Sequence, residues 1–172
     1  MAGRKCVATL TEAEVRVIGI DPGSRVTGFG VLEMTGSRYQ LVDSGTIEPP
    51  DEPLADRVTR LHLAVESLLE LHQPAAMALE DVFYEKNVQS TIKLAYARAG
   101  VFIAARQRDI PVFDYTPVQI KKAVVGKGQA SKEQVAAMVR TLTGIGDVPR
   151  LDQTDAIAVA ICHAHHLGAF HR

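Results

Sequence analysis

The sequence predicts an α/β domain in which helices cover both faces of a five-stranded mixed sheet. Three short runs rich in β-branched and aromatic residues open the chain, and short polar links between them indicate an antiparallel meander. Two further apolar runs follow, each preceded by a segment with helical spacing, as expected for strands joined through helices. A chain of 172 residues has the usual length of one domain.

Five strands are predicted from these runs. The first covers residues 15–20 and ends at Asp21, where Pro22 and Gly23 make a turn. The second covers residues 28–32, and the third combines residues 39–42 and 44–47. Residues 75–79 form a short buried strand that leads into Glu80, and residues 110–115 form the fifth strand.

Five helices are predicted in the rest of the chain. Apolar residues recur with helical spacing over residues 54–71, and an Ala-rich helix covers residues 90–108. Thr116 and Pro117 are a typical N-cap and first-turn proline for a helix through residue 125. Ser131 and Gln134 form a capping-box pattern that begins a helix through residue 142. The last helix covers residues 151–167.

Residues 1–14 show no clear periodicity and are predicted to be a flexible extension of a single domain that covers residues 15–172. No apolar run approaches the ~18 residues that a membrane span needs, and the N-terminus does not resemble a signal peptide. The two cysteines, Cys6 and Cys162, are predicted to be reduced. These features favour a cytoplasmic protein.

The net charge of −1 conceals an asymmetry along the chain. Residues 1–82 contain seven Lys or Arg and thirteen Asp or Glu, whereas residues 83–172 contain twelve and seven. The acidic half holds candidate metal ligands, and the basic half contains residues that can face phosphates. Local fields of this kind matter more for binding nucleic acid than the net charge does.

Four carboxylates are the candidate catalytic residues. Asp21 and Glu80 follow the first and fourth strands, which we expect to be neighbours in the sheet. Asp152 and Asp155 are three residues apart at the start of the last helix and therefore share one face. Taken singly, each has an ordinary alternative explanation as a turn residue, a solvated strand end or a favourable first-turn acid. A cluster of all four would repel itself unless a cation such as Mg²⁺ or Mn²⁺ were bound.

Four motifs resemble those of the RuvC-type Holliday-junction resolvases, in order and over residues 15–167. They are Gly19-Ile-Asp-Pro-Gly-Ser-Arg-Val-Thr-Gly28 followed by Phe-Gly, Glu80-Asp-Val-Phe83 with Lys86-Asn87, Lys121 with Val124-Val-Gly-Lys-Gly128, and Asp152-Gln-Thr-Asp-Ala156. The resemblance implies an RNase H-like fold and a homodimer that cuts four-way DNA junctions symmetrically. Asp21, Glu80, Asp152 and Asp155 fall on the family's catalytic acids, which hold two Mg²⁺ ions, with Mn²⁺ as a possible substitute.

The resemblance also implies DNA-binding residues. Phe83 falls on the family's base-stacking aromatic residue, and Tyr84 beside it is a possible second stacking group. Lys121 and Lys132 fall on the family's basic residues near the scissile phosphate. Beyond the resemblance, Lys122 and Lys127 beside a Gly-rich loop and Arg25 in a Gly-flanked turn are further predicted contacts to phosphates. Core packing for Phe83 and a solvated face for the lysines are the alternatives. A branch-migration helicase is the partner expected from the family, and hydrolysis is expected to leave 5′-phosphate nicks in recombination and repair.

Three other functions fit part of the pattern. A sugar-kinase or actin-type ATPase has a similar phosphate-binding hairpin but needs two such domains. An RNase H acts on RNA–DNA hybrids with similar acids, and a catalytically silent module would bind junctions without cutting them. His163, His165, His166 and His171 are interpreted as a solvated or frayed terminus, with a metal site formed by His163 and His166 as the alternative.

Overall fold

The computed structural model describes residues 14–23, 25–36, 38–81, 88–146 and 150–169. The order of strands and helices is the predicted one. The strands are β1 (Val15–Asp21), β2 (Thr27–Thr35), β3 (Arg38–Ile47), β4 (Ala76–Glu80) and β5 (Val112–Tyr115). The helices are α1 (Leu54–His72), α2 (Val88–Arg106), α3 (Pro117–Val125), α4 (Lys132–Thr143) and α5 (Leu151–Ala169).

The five strands form one mixed sheet in the order β3-β2-β1-β4-β5. β1 pairs antiparallel with β2, and β2 with β3, which confirms the predicted meander. β1 pairs parallel with β4, and β4 with β5. The first and fourth strands are therefore neighbours, as predicted, and their carboxyl ends lie at the same edge of the sheet.

Two hydrophobic clusters lie on opposite faces of this sheet. On one face, α3, α4 and α5 cover residues such as Val17 and Leu32. On the other face, α1 and α2 cover residues such as Ile18 and Ile20. Because successive strand residues point to opposite faces, β1 is buried on both sides and serves both clusters. The prediction of helices on both faces is confirmed.

The capping box predicted at Ser131 forms, and the predicted N-cap Thr116 forms a second one with Gln119. The Thr116 and Ser131 side chains accept hydrogen bonds from the backbone N–H groups of Gln119 and Gln134. The observed ends of other helices and strands differ from the predicted ends by a few residues. α2 ends at Arg106 rather than at residue 108, because the Ile110 N–H donates to the Ala105 carbonyl. This bond turns the chain, with Asp109 at φ 56°.

No helix in the described ranges is both long and apolar enough to cross a membrane. Cys162 is a buried free thiol in α5. Cys6 and residues 1–13 of the predicted extension lie outside the described residues.

Candidate active site

Parallel pairing brings Asp21 and Glu80 to one edge of the sheet. The register places Ile20 opposite Leu79, so each acid is the next residue after a paired position. Asp21 is the last residue of β1 and Glu80 is the last residue of β4. Both side chains are partly buried, because the preceding residues of both strands are in the core. The two acids therefore lie side by side although 58 residues separate them.

Glycines let α5 bring the other two acids to this edge. Gly28 lies opposite Asp21 in β2, and a Cβ atom there would lie 1.9 Å from the carbonyl oxygen of Asp152. A Cβ atom at Gly19 would lie 2.3 Å from the carbonyl oxygen of Ala156. No side chain fits at either position, so the helix backbone rests directly on the strands. The first turn of α5 thereby reaches the carboxyl ends of β1 and β4.

The acids interact strongly with one another. Burial, followed by the charges of Glu80, Asp155 and Asp152 in that order of importance, raises the pKa of Asp21 to about 7, although Lys132 acts in the opposite direction. Burial and then Asp155 raise the pKa of Glu80. Burial raises the pKa of Asp155 as well, although Lys132 acts in the opposite direction. The sequence prediction that these four residues converge is consistent with this electrostatic interaction.

Two of the predicted basic residues lie beside the acids. The Nζ atom of Lys132, at the start of α4, is 3.3 Å from Oδ2 of Asp155. Asp155 is also the main reason that the pKa of Lys132 is raised. Lys121 of α3 acts electrostatically on both Glu80 and Asp155. A cavity of about 60 Å³ opens between these side chains, with Ile120 among the apolar residues of its wall.

The other predicted DNA-binding residues are either exposed or outside the described residues. Arg25, Lys122 and Lys127 are exposed. Phe83 and Tyr84 lie outside the described residues, as do Lys86 and Asn87 of the same motif.

The donor set suits a hard divalent cation. The four acids offer only oxygen ligands, which Mg²⁺ and Mn²⁺ prefer, and a bound cation would relieve the repulsion that raises the pKa of Asp21. Over the described part of the chain, however, no three His, Cys, Asp or Glu side chains already form a metal-binding group.

The interpretation of the C-terminal histidines as a frayed terminus is wrong for His163. This residue is buried in α5, and its Nδ1 atom is 2.7 Å from the hydroxyl oxygen of Tyr115. Its ring also packs on Phe113, with 4.6 Å between the ring centroids. His165 is exposed, and His166 is hydrogen-bonded to the Cys162 carbonyl of its own helix. The core of the domain thus extends further along α5 than the sequence indicated. His171 lies outside the described residues.

Sequence reasoning missed Arg98, which contacts the backbone of the site. This side chain is buried in α2 and donates hydrogen bonds to the carbonyl oxygen of Glu80 and to the carboxylate of Asp114. A charged residue among Ala, Gly and Val on the inner face of a helix was the available signal.

Comparison with known proteins agrees with the geometry. The family model described as "Crossover junction endodeoxyribonuclease RuvC" matches residues 17–163. A protein of that name from Magnetococcus marinus is 46% identical over 150 residues, which are 87% of this chain and 83% of the relative. The structure of T. thermophilus RuvC in complex with Holliday junction substrate has a TM-score of 0.84 and 35% identity, and the match covers 91% of this chain and 96% of that one.

A more distant structure resembles the chain in fold alone. The yeast mitochondrial Holliday junction resolvase Ydc2 has a TM-score of 0.62 at 15% identity, over 91% of this chain and 82% of that one. Together the structural matches confirm the predicted RNase H-like fold.

Proposed function

The chain belongs to the RuvC family of crossover junction endodeoxyribonucleases, and from that membership we propose that it resolves four-way DNA junctions in recombination and repair. It is a nuclease of the hydrolase class. The observation that carries the proposal is the meeting of Asp21, Glu80, Asp152 and Asp155 at one edge of the sheet, beside Lys121 and Lys132. This edge combines ligands for a cation with positive groups for a phosphate.

The family consists of metal-dependent nucleases, and we propose that the four acids of this chain hold two Mg²⁺ ions, for which Mn²⁺ can substitute. Ions held there would supply the positive charge that activates the attacking water and stabilises the leaving oxygen of a phosphodiester. The carboxylates would hold the ions, and the partial burial of Asp21 and Glu80 limits the access of bulk water. Cleavage is expected to leave a 5′-phosphate and a 3′-hydroxyl.

The lysines near the acids are proposed to bind the strand that is cut. Lys132 and Lys121 project into the cavity that Glu80 and Asp155 also line, so a phosphate there would meet positive and metal-binding groups together. We expect Lys121→Ala to reduce cleavage, and unchanged cleavage would remove Lys121 from the site. Arg25, Lys122 and Lys127 are proposed to contact phosphates further away. Stacking by Phe83 and Tyr84 stays a prediction.

An unpaired apolar face of α2 supports the proposed homodimer. Val88, Ile92, Tyr96 and Ile103 are each at least 43% exposed and lie on one side of the helix, opposite the side that packs on the sheet. A helix that is apolar on both sides is normally buried on both sides. A second copy seated on this face would give the pair of active sites that symmetric cutting needs. We also propose a cytoplasmic enzyme that works with a branch-migration helicase.

Substitutions at two equally exposed residues test the proposed dimer. Tyr96 and Leu63 are both 54% exposed, the first on this face of α2 and the second on α1. We expect Tyr96→Glu to give monomers in sedimentation velocity, because a dimer would bury the new charge, whereas Leu63→Glu leaves the mass unchanged. A Tyr96→Glu protein that stays dimeric would contradict this interface.

The activity itself is tested on a synthetic four-way DNA junction with Mg²⁺ or with a chelator. We expect paired nicks when Mg²⁺ is present and none when a chelator is present. Closure of these nicks by DNA ligase will show that each nick carries a 5′-phosphate. Asp21→Asn is expected to bind the junction and not cut it, whereas Asp51→Asn, at an exposed position, cuts normally. Cutting by Asp21→Asn at the wild-type rate would refute the site. Preferential cutting of an RNA–DNA hybrid would favour RNase H activity, and binding of ATP would favour the ATPase alternative.

A further inference from the structure

Arg98 joins three elements at the acidic edge of the sheet. From α2, it donates one hydrogen bond, 2.5 Å long, to the carbonyl oxygen of Glu80 at the end of β4. Its other terminal nitrogen donates to the carboxylate of Asp114 in β5. The guanidinium also lies over the ring of Phe102, 4.9 Å from the ring centroid. The Arg98 side chain is only 10% exposed, whereas the Asp114 side chain is 47% exposed.

The bonded carbonyl belongs to the residue whose carboxylate is needed at the site. Glu80 is the last residue of a five-residue strand, and one strand beside it is the short β5. Beyond Glu80, the Asp81 N–H donates to the Tyr115 carbonyl. The backbone of Glu80 is therefore held between β5 on one side and Arg98 on the other. Fixing this peptide group limits the directions in which the Glu80 side chain can leave the strand.

Burying the guanidinium of Arg98 is a poor choice for stability alone. An apolar side chain of similar size stabilises a core as well or better, because the guanidinium loses most of its hydration on burial. Only its partner Asp114 keeps substantial contact with water, with 47% of that side chain exposed. Arg differs from Lys in its planar fork, which can serve two acceptors at fixed angles. The contact is therefore better explained by the geometry it imposes on Glu80.

We propose that Arg98 and Asp114 are positioning residues that hold Glu80 in the orientation needed to bind the divalent cation. Arg98 acts on the Glu80 backbone, and Asp114 holds the guanidinium in place. Neither residue needs to touch the DNA or the ion. This proposal rests on the proposed function of the acidic site.

A matched control exists at the other end of the sheet. Arg16 also bridges a carboxylate and a backbone carbonyl, since its Nε atom is 2.8 Å from Oε2 of Glu33 and its Nη1 atom is 3.5 Å from the carbonyl oxygen of His72. Arg16→Lys thus makes the same chemical change as Arg98→Lys without touching the acids. Comparing Arg98→Lys with Arg16→Lys therefore separates an effect on the position of Glu80 from a general effect on stability.

The experiment measures three quantities for wild type, Arg98→Lys, Asp114→Asn and Arg16→Lys. They are kcat on the junction, the junction Kd without divalent metal, and the Mn²⁺ concentration that gives half of the maximal thermal stabilisation. We expect the two site variants to lower kcat and to raise the Mn²⁺ midpoint by about 10–100-fold, the usual effect of removing a group that supports a metal ligand. Junction Kd should stay within about twofold, because phosphate contacts are unchanged. Arg16→Lys should leave all three quantities unchanged.

A wild-type Mn²⁺ midpoint in folded Arg98→Lys and Asp114→Asn would overturn the proposal, even if kcat fell. Should Arg98→Lys not fold, Asp114→Asn decides alone, because it keeps the guanidinium and removes only its partner. Failure of the proposed function would look different. Wild-type protein would then cut no junction, whereas the Mn²⁺ midpoints would still report whether Arg98 organises the acids.

Discussion

The carboxylates at the two ends of the sheet have opposite electrostatic surroundings. At the far end, where β1 begins, Glu33 is paired with Arg16 at 2.8 Å, and Asp43 is paired with the buried His72 at 3.0 Å. At the acidic end, burial and neighbouring acids raise the pKa of Asp21 and Glu80, and Lys132 contacts the cluster at Asp155. The far end is arranged for stability, while the acidic end carries unbalanced charge, which is typical of a functional site.

Removing one carboxylate from each end gives the largest expected contrast. Glu80→Gln should lower junction cleavage by more than about a hundredfold, since it removes a proposed ligand rather than a group that supports one. Glu33→Gln should leave cleavage unchanged and lower the free energy of unfolding by less than about 1 kcal/mol, because Arg16 is partly exposed. Single-turnover cleavage and urea unfolding measure both effects. Equal losses of cleavage in Glu80→Gln and Glu33→Gln would show that the two ends of the sheet do not differ in their importance for cleavage.

The next contrast concerns the close contact between α5 and the strands. Gly28→Ala should lower the free energy of unfolding by about 1–3 kcal/mol and also impair cleavage, because the new methyl group displaces the first turn of α5 with its two acids. Gly45→Ala is the control, since its Cβ would meet the ring of Phe29, 2.9 Å away, and a side chain can move aside. Cleavage per folded molecule checks the prediction. Normal cleavage by Gly28→Ala would mean that the acids tolerate a shifted helix.

The acidic end should also give stability a dependence on pH in the absence of metal. The folded-state pKa of Asp21, about 7, lies above the ordinary value of 3.8 for this carboxyl group. Asp21 therefore stabilises the folded protein most at low pH, and this contribution is lost as the pH rises from about 4 through 7. The slope for one proton is at most about 1.4 kcal/mol per pH unit.

The measurement is the difference in unfolding free energy between wild type and Asp21→Asn across this pH range. We expect the wild type to lose stability relative to the variant as the pH rises, and saturating Mg²⁺ to reduce that loss. A difference that is independent of pH would show that Asp21 is not destabilised by its neighbours.

The smallest expected effect concerns the exposed basic residues. Lys127→Ala should weaken junction binding modestly and reduce the slope of log K against log salt by about one, as expected for one lost phosphate contact. Arg38→Ala removes an exposed charge at the start of β3, at the far end of the sheet, and should change neither quantity. Fluorescence anisotropy at several salt concentrations distinguishes these results. Equal slopes for both variants would remove Lys127 from the DNA surface.

Much of this protein could be predicted from local patterns in the sequence. Strand and helix order follows from the spacing of apolar residues and from turn and capping residues such as Pro117 and Ser131, because these act over a few neighbours. The four acids were predicted because each lies at a recognisable boundary and because their motifs resemble those of one family. Element ends such as the start of β5 were less accurate, since backbone bonds from distant strands set them.

The sequence by itself determined the order of the elements and the family, and it predicted which four acids form the site. Only the tertiary structure decided that Gly28 admits the backbone of α5, that His163 is buried against Tyr115, and that Arg98 holds the peptide group of Glu80. Each of these contacts joins residues that are far apart along the chain. The energies of these contacts depend on which surfaces meet after folding. A local pattern of residues does not show which surfaces those will be.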